Sequence, residues 1–187
     1  VTGARRDDIP YDHLYLDNER AVRKLIRYFV SRGHSRMGFV GGLPENMNIQ
    51  QRVRGFELAL ADENLECGPA AISLGAPDLD SVTQRTHQYL RSSDRPSAVI
   101  CTSDMIAMVV IRAAIELGLR VPQDIAVAGF DDITQASLTT PSVTTIRQPL
   151  RAMSQDIVSM LLSRLESPKT PIREKQYEAE LILREST

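Results

Sequence analysis

Along this chain the spacing of apolar residues switches repeatedly between the helical and the strand period. Residues 18–32 place Val22, Leu25, Ile26, Phe29 and Val30 on one helical face, with Asp17 or Asn18 placed to cap it and Gly33 to stop it. Met37 to Gly41 reads as a short strand, and residues 49–64 as a helix turning Val53, Phe56, Ala59 and Leu60 inward. A strand over Ala71–Leu74, a helix over Asp78–Arg91 carrying Leu79, Val82, Tyr89 and Leu90, and a strand over Ala98–Cys101 follow. Ser103 or Asp104 then caps an almost wholly apolar helix that ends at Gly118, and Ile125–Ala128 returns to the strand pattern.

Strands separated by helices with short connections predict an α/β fold, a parallel sheet flanked by helices on both faces. After Pro141 the pattern changes. An extended piece, Val143–Ile146, precedes a helix over Leu150–Glu166 with Met153, Ile157, Met160, Leu161 and Leu165 turned inward. Ser167, Pro168 and Pro171 mark a loop, and Tyr177–Leu183 reads as a final alternating strand. This late segment reads as leaving the main sheet, with too few strands of its own for a second one. Its strongly amphipathic helix sits oddly there.

The bulk numbers narrow the function classes. The chain has 187 residues, 42% hydrophobic and 25% charged, with a net charge of −2. The basic run Arg20, Arg23, Lys24, Arg27, Arg32, Arg36 falls mostly opposite the apolar stripe of its helix, which is the placement of a solvated face. A chain without a strongly basic face is not expected to grip DNA phosphates by itself. Cys67 and Cys101 are far apart and near no histidine, so neither zinc nor a redox motif is expected, and Cys101 reads as a small buried hydrophobe. No apolar run approaches the roughly 20 residues of a bilayer span, and no leader peptide is recognisable, so we expect a cytoplasmic protein. Motifs of the type GxGxxG, P-loop, GxSxG and HExxH are missing from the sequence, and His13, His34 and His87 have no nucleophile nearby in sequence. We therefore expect no enzyme, no cofactor and no metal.

The chemistry gathers at one strand end. In VPQDIAVAGFDD the strand closes on an aromatic residue and then Asp131 and Asp132. Ligands of open α/β sheets bind beyond the carboxyl ends of the strands, so a carboxylate pair there is aimed at a solute. A phosphoacceptor domain would also end a strand in aspartate. It would need an acidic Mg²⁺ site assembled with a lysine, and Lys24, Lys169 and Lys175 are badly placed for that.

Three stretches, in order, resemble the lac-repressor-like family of bacterial transcription regulators: SRGHSRMGFVGG, ENMNIQQRVRGFELAL, and SAVICTSDMIAMVVIRAAIELGLRVPQDIAVAGFDD followed by TTPSVTTIRQP. Effector domains of that family look like periplasmic sugar-binding proteins. The resemblance implies that residues 17–143 with 177–187 are the C-terminal effector-binding subdomain. Residues 144–176 would be a crossover helix belonging to the N-terminal subdomain, and residues 1–16 a lead-in from it. It implies that the DNA-binding headpiece, the hinge and most of the N-terminal subdomain lie outside this chain.

Carried over by motif, Arg52 falls on the family's effector-binding arginine, and a planar five-donor fork suits vicinal hydroxyls or a carboxylate. Asp131 falls on the aspartate that accepts from ligand hydroxyls or amines, while Asp132 suits a turn cap. Ser103 occupies a position often held by asparagine, where ligand contact and helix capping are equal alternatives. Asn46 and Asn48 lie in a loop of polar ligand contacts, Gln148 matches a crossover glutamine near the cleft, and Asp17 combines a cleft position with a capping one. Relatives often place a stacking aromatic after the third strand, where this chain has Gly75-Ala76-Pro77. The resemblance implies a small-molecule effector, a sugar or a related polar metabolite, a homodimer paired partly through this subdomain, operator DNA bound only through the headpiece, and no membrane; the apolar helix after Asp104 is buried either in that pairing or under a covering loop. A periplasmic solute-binding protein of the same fold is the alternative.

Overall fold

The computed structural model describes residues 2–3 and 11–187. Of the lead-in 1–16, residues 1 and 4–10 therefore lie outside the described residues. The elements run β1 (Thr2–Gly3), β2 (His13–Leu16), α1 (Asn18–Ser31), β3 (Met37–Val40), α2 (Met47–Asp62), β4 (Ile72–Ser73), α3 (Leu79–Arg91), β5 (Ala98–Cys101), α4 (Asp104–Glu116), β6 (Ala126–Asp131), β7 (Thr144–Arg147), α5 (Leu150–Glu166), β8 (Glu174–Tyr177) and β9 (Glu180–Ile182). A 3-10 turn at Thr134–Ser137 follows β6.

The large sheet has the order β4-β3-β5-β6-β7-β9, parallel except for the antiparallel edge pair β7–β9. Phe39 pairs with Ile100 and Ile100 with Ala128, so the central strands are in step. β3 and β5 are apolar throughout because both faces are covered. Ala98, Ile100, Ala128 and Phe130 point to one core with α1 and α2, while Val99, Cys101 and Val127 point to another with α3 and α4. Helices α1 and α2 cross closely at Gly55, where a Cβ would sit 2.7 Å from the Cα of Glu19. Glycine there is a packing requirement rather than a turn.

Four features depart from the pattern reading. Thr144–Arg147 stays in the large sheet, paired in parallel with β6, so the chain leaves that sheet after residue 147 rather than after 143. The expected strand 177–183 is two strands in two sheets, because the chain passes between them at Glu178-Ala179. A second sheet does form, in the order β1-β2-β8. Its strand β2 is buried along its whole length. Among the described residues the chain crosses between the sheets at three places: Asp17, the segment that starts at Gln148-Pro149, and Glu178-Ala179. On α5, Met153 is the one buried residue among the described ones, Ile157 and Met160 are partly buried, and Leu161 and Leu165 are 57% and 69% exposed rather than inward.

Candidate functional site

At the carboxyl ends of β3, β5 and β6 the chain gathers an arginine, an aspartate and several amides. Arg52, near the start of α2, is only 8% exposed. Its Nε donates to Asn18 Oδ1 at 2.9 Å and its Nη1 to the carbonyl of Thr102 at 2.6 Å. Its guanidinium carbon lies 3.4 Å from the centroid of the Phe130 ring. Burial pulls its pKa down to about 10 against the opposing pull of the Asp131 charge, so it stays cationic at neutral pH. It is not the exposed helical arginine that surface patterning alone would suggest.

Asp131 ends β6 with φ of +115°, in the left-handed region that favours glycine. Its Oδ1 accepts a hydrogen bond from Gln148 Nε2 at 2.6 Å. Burial raises its pKa, while the Arg52 charge and the Gln148 bond lower it. Asp132, also at positive φ, is no turn cap: its carboxylate receives Arg147 Nε at 2.6 Å and Arg184 Nη2 at 2.5 Å. Burial raises its pKa, but those two arginines outweigh it and hold the group below the usual carboxylate range. The two adjacent aspartates thus divide the work, one facing Arg52 and the other clamped by cations.

Arg52, Asp131 and Gln148 share one neighbourhood, and Asn48 joins it by accepting from Asn18 Nδ2 at 3.2 Å. The other candidates are engaged as helix caps. Asn46 Oδ1 accepts from the amides of Asn48 and Ile49 at 2.9 and 3.4 Å, and Ser103 Oγ accepts from Ile106 N at 3.3 Å. Asp17 Oδ1 accepts from Arg20 N at 2.9 Å, and its Oδ2 from Gln176 Nε2 at 2.6 Å.

Pattern reading passed over several contributors. Asn18, 2% exposed, also donates to Gln51 Oε1 at 3.0 Å and so links α1 to α2 under the site. Its only sequence signal was a position at a helix start, which reads as a cap. Phe130 was visible merely as the aromatic before the aspartates. Arg85 donates to the carbonyls of Ala76 and Gly41 at 2.9 and 3.1 Å, tying together the loops that follow β3 and β4. A separate hollow of about 480 Å³, lined among others by Leu14, Ile157, Met160 and Arg164, lies between β2 and α5, away from the Arg52 cluster. Among the described residues no group of His, Cys, Asp and Glu could hold a metal ion, and no helix is long and apolar enough to cross a membrane.

The family profile of periplasmic binding protein-like domains matches residues 26–187. An HTH-type transcriptional repressor PurR of Photobacterium profundum is 31% identical over 195 residues, covering 98% of this chain and 58% of the relative. The protein of the same name in Pectobacterium atrosepticum is 38% identical over 160 residues, covering 86% of this chain and 47% of the relative. The solved complex of transcriptional regulator CelR with cellobiose superposes with a TM-score of 0.92 at 26% identity, over all of this chain and 57% of CelR. A LacI family regulator of Enterococcus faecium with bound ribose shares the fold, with a TM-score of 0.88 at 24% identity, over all of this chain and 69% of its own. This chain spans about half the length of the curated relatives it matches.

Proposed function

Because this chain belongs to the periplasmic-binding-protein-like domain family, in its lac-repressor-like branch, we propose that it is the small-molecule-sensing part of a transcriptional repressor. The observation that carries this reading is the buried Arg52 opposite Asp131 at the strand ends. A buried charge is retained where it is bonded and put to use. Here the cation is held by Asn18 and Thr102, while the anion is held by a neutral amide that a solute could replace. An ionised carboxylate with about four acceptor sites and a fork of donors suits a polyol, which supports a sugar or related polar metabolite as effector. Cellobiose in CelR and ribose in the Enterococcus faecium regulator are the same kind of molecule.

Gln148 and Asp17 both sit where the chain crosses between the two sheets. A solute that takes Asp131 from Gln148 acts at a hinge, and a ligand with different affinity for two hinge states shifts their populations. In this reading the large sheet with its helices is one lobe, and the small sheet with α5 belongs to the other. The whole protein would act in the cytoplasm as a homodimer, on operator DNA through a headpiece outside this chain. The relatives' identity as repressors favours this over a transporter component and over an enzyme.

The test is isothermal titration with D-ribose, cellobiose and a nucleoside panel. For whichever binds, Arg52→Ala and Asp131→Ala should each lower affinity by about tenfold or more, since each leaves a buried polar partner unmatched. Unchanged affinity in both variants would overturn the reading.

A further inference from the structure

We propose that Asp104 is the positioning residue of this site: its carboxylate, inserted beneath the turn after β6, fixes the Asp131-Asp132 backbone and with it the direction of the Asp131 side chain. The functional consequence rests on the reading of Asp131 as the effector's acceptor, while the placement itself stands on geometry alone.

Asp104 is the first residue of α4 and is 1% exposed, yet it does not cap its own helix, because Ser103 does. Its carboxylate is aimed at a different element. Oδ2 accepts the backbone N–H of Ile133 at 2.8 Å, and Oδ1 accepts the hydroxyl of Thr145 at 2.5 Å. Thr145 Oγ1 in turn accepts the N–H of Asp132 at 3.4 Å. The two residues that follow Asp131 are thus both tethered, directly or through one hydroxyl, to one buried carboxylate.

Two further observations show that the chain is built around this insertion. A Cβ at Gly129 would lie 2.2 Å from Asp104 Oδ1, so the strand carries its glycine where the carboxylate passes beneath it. Asp131 and Asp132 lie consecutively at φ +115° and +57°; aspartate enters the second region readily, but a non-glycine residue keeps the first only where its surroundings over-determine it. The tethers to Ile133 and Thr145 supply that determination.

The electrostatics run in the same direction. Burial pushes the Asp104 pKa up to about 6, the charges of Asp131 and Asp132 add to the rise, and the bonds from Thr145 and Ile133 oppose it. The other ionisable neighbours are the buried Cys101 thiol on β5, Arg52 facing Asp131, and Arg147 and Arg184 on Asp132. A protonated Asp104 turns one acceptor oxygen into a donor, so one tether weakens below about pH 6 and the Asp131 carboxylate loses its fixed aim.

The test reads the placement without any ligand. In ¹H–¹⁵N spectra of the full chain between pH 5 and 7.5, the Ile133 amide should shift with a midpoint near 6. The Gln148 side-chain amide, bonded to Asp131, should report where that carboxylate lies. In Asp104→Asn the Ile133 midpoint should vanish and the Gln148 side-chain signal should be displaced at pH 7.5. A Gln148 signal identical to the parent's, or an Ile133 titration that persists unchanged, overturns the proposal. Should Asp104→Asn not fold, Thr145→Val removes one tether and keeps the charge; a displaced Gln148 signal supports the proposal and an undisplaced one overturns it. Loss of effector binding in Arg52→Ala and Asp131→Ala is a separate result, so the site reading and the positioning role can fail independently.

Discussion

Helices α1 and α5 are both amphipathic in sequence, and the structure treats them oppositely. On α1, Val22, Leu25, Ile26 and Phe29 are fully buried between the large sheet and α2. On α5, Val158, Leu161, Leu162 and Leu165 are 56%, 57%, 55% and 69% exposed. Fully burying such a side chain contributes about 1.5–3 kcal/mol, so α5 forgoes along this face what α1 gains. Apart from the packing of Met153, Ile157 and Met160, it is charge that ties α5 down. Asp12 bridges Arg164 and Arg173, Arg173 Nη2 also reaches the carbonyl of Met160 at 2.7 Å, and Asp156 binds Lys175 and Tyr177. An apolar stripe therefore predicts a helix, but its burial depends on what the rest of the chain brings against it.

Substitutions can break this contrast, and the core should show the largest effect. Phe29→Ala should cost about 3–5 kcal/mol, because it empties a filled interior with little room to collapse. A urea midpoint shifted by less than about 1 kcal/mol equivalent would show that the α1 core is looser than its packing indicates. Next comes Asp12→Asn at about 1–3 kcal/mol, since it leaves two arginines with a weaker partner. Amide exchange should then accelerate in α5 and β8 while β5 and β6 stay protected; uniform acceleration would deny that α5 is held separately. Gly129→Ala should cost about 1–3 kcal/mol through overpacking against Asp104. Leu161→Gln, at the other extreme, should stay within about 0.5 kcal/mol in thermal melts.

Acid should separate the two regions as well. The Arg173 and Arg164 guanidiniums hold the Asp12 carboxyl well below its usual range, and Lys175 with Tyr177 lowers Asp156. A depressed carboxylate stabilises the fold above its unfolded pKa of about 4, and that contribution is lost as pH falls from there towards the folded value. Exchange protection in α5, corrected for intrinsic rates, should fall between pH 5 and 3, and before that of the large sheet, which has a lowered carboxylate in Asp132 but also a fully buried apolar core. Protection of α5 kept unchanged down to pH 3 would show that its ion pairs contribute little.

What was legible in the sequence follows the same division. Helices α1, α2 and α4 and strands β5 and β6 were legible because period and capping are local properties, and their partners lie in neighbouring segments. Strand β7 was placed outside the large sheet because Thr144–Arg147 gives a strand pattern but no sign of its partner β6. The split between β8 and β9 was equally hidden, since a continuous alternation does not reveal a change of sheet at Glu178-Ala179. At the site, motif position singled out Arg52 and Asp131. Asn18 and Asp104 look like caps in sequence, and only tertiary contact shows that both point elsewhere. The reverse holds for Asn46 and Ser103, whose side chains are taken up by their own helices.

Arg52 lies over the Phe130 ring and is pinned at two nitrogens. A free arginine carries about 2 kcal/mol of rotamer entropy, and here most of it has been surrendered during folding. In the proposed reading, a solute arriving at this guanidinium would meet a group already set in orientation and would need to organise little beyond itself. A lysine at position 52 would keep the positive charge but lose that rigidity, leaving a mobile point where the chain now presents a fixed edge.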